Sequence, residues 1–64
     1  MTKREAAIVS AYTGYLVGEF AVLQHYVEEK LGRKVDLAEM GQGPVVLEIH
    51  DKSEPDFMQL KVED

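Results

Sequence analysis

Cysteine and tryptophan are absent from this chain of 64 residues, proline occurs twice, and basic residues are few. Without cysteine there is no disulfide framework, no thiolate nucleophile and none of the common zinc arrangements. A domain this small buries only about 60% of the surface its unfolded form exposes. Its core alone rarely contributes more than roughly 3–5 kcal/mol. With disulfides removed and two distant histidines making a poor metal site, self-association is the remaining reinforcement. A homo-oligomer is therefore one expectation.

Seven basic residues face twelve acidic ones, leaving a net charge of −5 and a pI near 4.9. Such a chain is repelled at long range by nucleic acid and anionic lipid, so neither is its default partner. No apolar run approaches the ~18–20 residues that span a bilayer. The amino terminus lacks the uninterrupted apolar centre of a signal peptide. The expected location is the cytoplasm.

What the chain does have is two interleaved stripes at helical spacing. Ala7, Ala11, Gly14, Gly18 and Ala21 recur at steps of four and three, and can let another backbone come close. Val9, Tyr12, Leu16, Phe20, Leu23, Val27 and Leu31 run beside them and can fill a core. Gly14 and Gly18 form a G-x-x-x-G spacing, which marks helix contact in membranes and close packing or a dimer face in a soluble chain.

Thr2 and Glu5 fit a capping box, so a first helix is predicted from about Lys3 to Val17. Glycine costs about 1 kcal/mol inside a helix, and a break is placed near Gly18–Phe20. A second helix follows from Phe20 to Leu31, ended by Gly32 and flanked by Lys30, Arg33 and Lys34. Residues 35–40 are too short to assign, and Gly41-Gln42-Gly43 forms a flexible loop that could offer N–H groups to an anion. Pro44 suits the first turn of a third helix from Val45 to about Lys52, with Val45, Val46 and Ile49 inward. The rival is a strand over the same β-branched residues. Ser53–Asp56 reads as a stop and restart, Phe57, Met58 and Leu60 as a last turn, and residues 61–64 as a frayed end.

Candidate sites are sparse. In a hairpin of the first two helices, Lys3 and Arg4 meet Lys30, Arg33 and Lys34 at one end. That basic corner could take a phosphate, a nucleic acid or an acidic partner, be neutralised by Asp36, Glu39 or the acidic tail, or be merely solvated. Tyr12, Tyr15 and Tyr26 lack the interleaved cations of a base-stacking platform and read as rings at the core edge with wet hydroxyls. His25 with Glu29 and His50 with Glu54 share helical spacing but match no metal motif, so neither metal nor cofactor is expected. Ser10 and Ser53 lack a nucleophile setting, and no enzyme is expected. Glu48, Asp51, Glu54 and Asp56 form an acidic face that could imitate nucleic-acid phosphates.

The opening Met1-Thr2-Lys3-Arg4-Glu5-Ala6-Ala7-Ile8-Val9-Ser10-Ala11-Tyr12-Thr13-Gly14 resembles a family of small uncharacterised proteins encoded by bacteriophages and prophages. Gly18-x-Phe20, Tyr26-Val27-Glu28, Leu31-Gly32-Arg33-x-Val35 and Ser53-x-Pro55-Asp56-Phe57 extend the likeness along nearly the whole chain. Lys34 stands where the family pattern has proline, and Asp36–Glu39 where it has a Thr-His-Glu-like run. The resemblance implies a phage setting in the bacterial cytoplasm and names no activity. The expected architecture is one all-α domain with a helical hairpin, a third helix and a short terminal turn. The expected role is a phage-type accessory protein that binds a host or phage protein without catalysis. A nucleic-acid- or phosphate-binding module and an acidic mimic inhibiting a host enzyme are the alternatives.

Overall fold

The computed structural model describes residues 1–60. These form four helices and no strand: α1 (Lys3–Thr13), α2 (Phe20–Leu31), α3 (Leu37–Met40) and α4 (Gly43–Met58). The all-α expectation holds, and the strand reading of residues 45–50 does not. α1 packs against α2 and α4, α2 also meets α4, and the short α3 rests on α4. Arg4, near the start of α1, bonds Glu29, near the end of α2, at 3.2 Å, so these two helices run antiparallel.

Local chemistry sets several boundaries. At the start of α1 the Thr2 hydroxyl accepts from the Glu5 N–H at 3.1 Å, and the Thr2 N–H donates to the Glu5 carboxylate at 2.7 Å. That backbone N–H, with help from the hydroxyl, holds the Glu5 carboxyl below its usual range. Gly32 ends α2 as expected, its N–H donating to Glu28 O at 2.9 Å. Pro44 lies in the first turn of α4, where its missing N–H costs nothing.

α1 stops four residues before the predicted Val17. Gly14 adopts φ +83°, a left-handed conformation that ends the helix, and donates to Ser10 O at 3.0 Å. Gly14 is therefore a cap rather than an interior residue. The following loop turns back at Gly18, also at φ +83°, where an added Cβ would sit 3.4 Å from the Ala6 side chain. Ser10 holds that loop. Its buried hydroxyl accepts from the Val17 N–H at 2.7 Å, and its single proton lies within reach of Ala6 O and Val17 O.

The core is built from Ala7, Ile8 and Ala11 of α1, Leu23, Tyr26 and Val27 of α2, Val35 and Ile49. Val35 is locked by two α2 side chains. Its N–H donates to the Glu28 carboxylate at 3.1 Å, and its carbonyl accepts from the Gln24 amide at 3.0 Å. The link from α2 to α3 is thus docked, and Asp36 then caps α3 by accepting from the Glu39 N–H at 2.8 Å. Residues 35–40, too short to assign from sequence, contain a real helical turn.

α4 corrects three expectations. It runs through Ser53–Asp56 to Met58, with Pro55 inside it, so there is no stop and restart there. An interior proline costs about 3 kcal/mol, and contacts on both sides offset it. Ser53 is buried with its hydroxyl on Ile49 O at 2.8 Å, and Phe57 stacks on Tyr12 with centroids 4.2 Å apart. Phe57 and Met58 belong to this helix, and Leu60 follows it. Third, the inward row is Val45, Ile49, Ser53 and Phe57, which leaves Val46 exposed. The predicted frayed end at residues 61–64 lies outside the described residues.

Candidate functional site

The basic corner assembles only in part. Arg4 and Lys30 converge on the ring of Tyr26, with Cζ 5.3 Å and Nζ 5.8 Å from its centroid. Lys30 also pairs with Asp56 at 2.7 Å, and Arg4 with Glu29 at 3.2 Å. Arg33 points elsewhere, to Glu39 of α3 at 2.9 Å and Glu48 of α4 at 3.5 Å. Lys3 lines a furrow between α1 and α2 beside Arg4 and His25, and Lys34 is exposed between α2 and α3. The five cations therefore form no single patch. Glu39 neutralises Arg33 as weighed from sequence, while Glu29 and Asp56 take Arg4 and Lys30.

Tyr26 is the polar centre of this corner. Its ring is buried, and its hydroxyl donates to Asp56 Oδ2 at 2.6 Å. Burial first, and the bond to Asp56 second, raise the phenol far above its usual range. The Asp56 carboxyl is pulled below its usual range by the Lys30 ammonium first and by the Tyr26 hydroxyl next. The tyrosine hydroxyl read as wet is thus satisfied within the fold, while the Tyr15 ring is largely exposed.

The remaining polar candidates have packing roles. The His50 ring stacks on Tyr12 at 4.3 Å, and its Nδ1 lies 2.9 Å from Tyr12 O. A carbonyl only accepts, so that nitrogen carries the proton and serves the carboxyl end of α1. His25 is exposed, and Glu29 is taken by Arg4. On the acidic face Glu48 pairs with Arg33 and Asp56 with Lys30, leaving its charge partly compensated.

The small-residue stripe divides. Ala7 and Ala11 are buried in the core, where they admit the neighbouring helices. Gly14 caps α1, Gly18 turns the loop, and Ala21 is exposed on α2. No continuous face joins the five.

A different surface emerges, one that sequence reasoning did not single out. The end of α1, α3 and the start of α4 enclose an apolar groove of about 290 Å³, lined by Ala11, Gly14, Leu23, Met40, Val46 and Ile49 among others. It continues past Gly14 and Met40 into a second depression of about 270 Å³ reaching Leu16, Phe20 and Leu37. A third, reaching Leu47 and His50, joins it at Ala11, Gly14 and Val46. Leu16, Leu37, Val46 and Leu47 stay 58%, 70%, 43% and 67% exposed around it. No Asp, Glu, Lys or Arg lines any of the three, in a chain that is 30% charged. Scattered exposed apolar residues are ordinary, but an uncharged run of them around a groove marks an interaction surface.

Fold and groove together define a small all-α protein with an uncharged apolar furrow on one face. The chain belongs to the family described as Domain of unknown function (DUF7736), whose model matches residues 3–63. Neither a curated protein nor a solved structure matches it. Among the described residues, no helix is long and apolar enough to cross a membrane.

Proposed function

We propose that this chain is a non-catalytic protein-interaction module, a phage-type accessory protein working in the bacterial cytoplasm, and that the groove between α1, α3 and α4 is its docking face. The observation that carries the reading is the uncharged apolar lining bordered by exposed Leu16, Leu37, Val46 and Leu47. Burying such a surface against a protein is favourable at about 25 cal/mol per Å², with no ionic group to desolvate. The non-catalytic part is supported by how the polar side chains are used. The Ser10 and Ser53 hydroxyls bond the backbone, His50 serves Tyr12 O, and Asp56 is held by Lys30 and Tyr26. The phage setting rests on the sequence resemblance.

A photoreactive side chain placed at Leu47, and separately at exposed His25 on the furrow lined by Lys3 and Arg4, tests this in living bacteria. The expected result is protein adducts from position 47 and none from position 25. Absence of adducts from position 47 contradicts the reading.

A further inference from the structure

Three properties of the groove bear on what fills it. The first is area. Four large apolar side chains, Leu16, Leu37, Val46 and Leu47, stand exposed around one continuous groove. A standard interface takes ~800 Å² per partner, of which ~56–65% is apolar, and such a cluster on one face supplies the apolar centre it needs. The second is charge. A chain with net charge −5 repels its own copies, yet this face carries none of its ionic groups. A strongly basic partner, by contrast, would find nothing here to pair with. The third is shape. Exposed Leu37 and Leu47 border furrows that share Gly14, with Met40 on the Leu37 side, so one surface offers both knob and hole. A two-fold contact requires that self-complementarity, because residue i meets j while j meets i.

We infer that the groove is filled by a second copy of this chain, related by a two-fold axis, with Leu37 and Leu47 of each copy entering the furrow of the other. This rests on the groove being the docking face. It also supplies the reinforcement that a cysteine-free domain of 64 residues calls for, through apolar surface the single chain leaves exposed. Of the small-residue stripe, Ala11 and Gly14 line this groove, while Ala7, Gly18 and Ala21 do not.

Sedimentation equilibrium of the purified full chain over a wide concentration range is the test. The expected mass at high concentration is twice the 7.2 kDa of one chain. Leu37→Glu and Leu47→Glu are each expected to weaken association by at least about thirtyfold, as loss of a central apolar anchor does. Both residues are exposed in the single chain, so the helical circular-dichroism spectrum stays unchanged. His25→Glu adds the same charge outside the groove and is expected to leave association intact. A single-chain mass up to millimolar concentration overturns the second-copy inference, and so does a dimer indifferent to both leucine substitutions. If that single-chain mass is accompanied by adducts from position 47 to another protein, the interaction-module reading stands. If position 47 forms no adducts at all, both fall.

Discussion

Tyr26 and Asp56, thirty residues apart, are joined by a 2.6 Å hydrogen bond that ties α2 to the last turn of α4. Lys30 adds a 2.7 Å ion pair to the same carboxylate oxygen. One carboxylate thus anchors the part of α4 beyond Pro55. Bonds to a charged acceptor contribute about 1.5–3 kcal/mol, so Tyr26→Phe is expected to lower unfolding stability by about that much in urea melts.

The same pair gives stability opposite slopes at the two ends of the pH scale. Asp56 has its folded pKa depressed, so its contribution is present above its ordinary value of about 3.9 and is lost as pH falls through the folded one. Tyr26 has its folded pKa raised, so its contribution is present below about 10 and is lost as pH rises beyond that. Asp56→Asn should flatten the acid limb of a stability–pH curve. Tyr26→Phe should remove the alkaline component that tyrosinate absorbance follows. An unchanged acid limb in Asp56→Asn would count against the ion-paired geometry.

Gly14 separates two accounts of α1 by sign. Inside a helix, Gly→Ala stabilises by about 1 kcal/mol. At a left-handed cap with φ +83° it instead costs about 1–2 kcal/mol, although nothing lies within 4 Å of the added methyl. Gly14→Ala should lower the melting temperature, and Gly14→Asn should do so less. A rise would restore the longer predicted helix.

Ser10→Ala leaves the Val17 N–H without its 2.7 Å acceptor beneath a loop packed on α1. The expected cost is about 1–3 kcal/mol. Hydrogen exchange at the Val17 amide should accelerate well beyond the effect on α2. Unchanged exchange there would mean that another group holds the loop.

Pro55→Ala restores a backbone donor inside α4. The interior-proline cost of about 3 kcal/mol is offset by about 0.4–1 kcal/mol of lost unfolded-chain stiffness. A net gain of about 2 kcal/mol in chemical denaturation is expected. A loss would show that the proline shapes the helix end.

Legibility in the sequence followed the range of the interactions. Thr2 with Glu5, Gly32 and Pro44 act on their own helix ends, so those boundaries could be read directly. Gly14 and Gly18 look alike in sequence, and the bond from Val17 to Ser10 that holds the loop between them joins residues seven apart, which periodicity does not show. Pro55 reads as a breaker because Tyr26, Lys30 and Tyr12, which hold the helix around it, lie far back along the chain. The basic corner was half visible, since a hairpin brings Arg4 to Lys30, but Arg33 turns to α3, which was not assigned from sequence. The groove left no signal. Leu16 sits in a core-like stripe, Val46 in a run read as inward, and periodicity does not reveal which apolar residues a small core leaves uncovered.

Occupation of the groove by a second copy is tested most directly by backbone amide spectra of the full chain recorded from micromolar to millimolar concentration. The expected result is concentration-dependent shifts confined to Gly14–Leu16 and Leu37–Leu47. Shifts centred on Arg4, Tyr26 and Lys30, with those two segments silent, would contradict it.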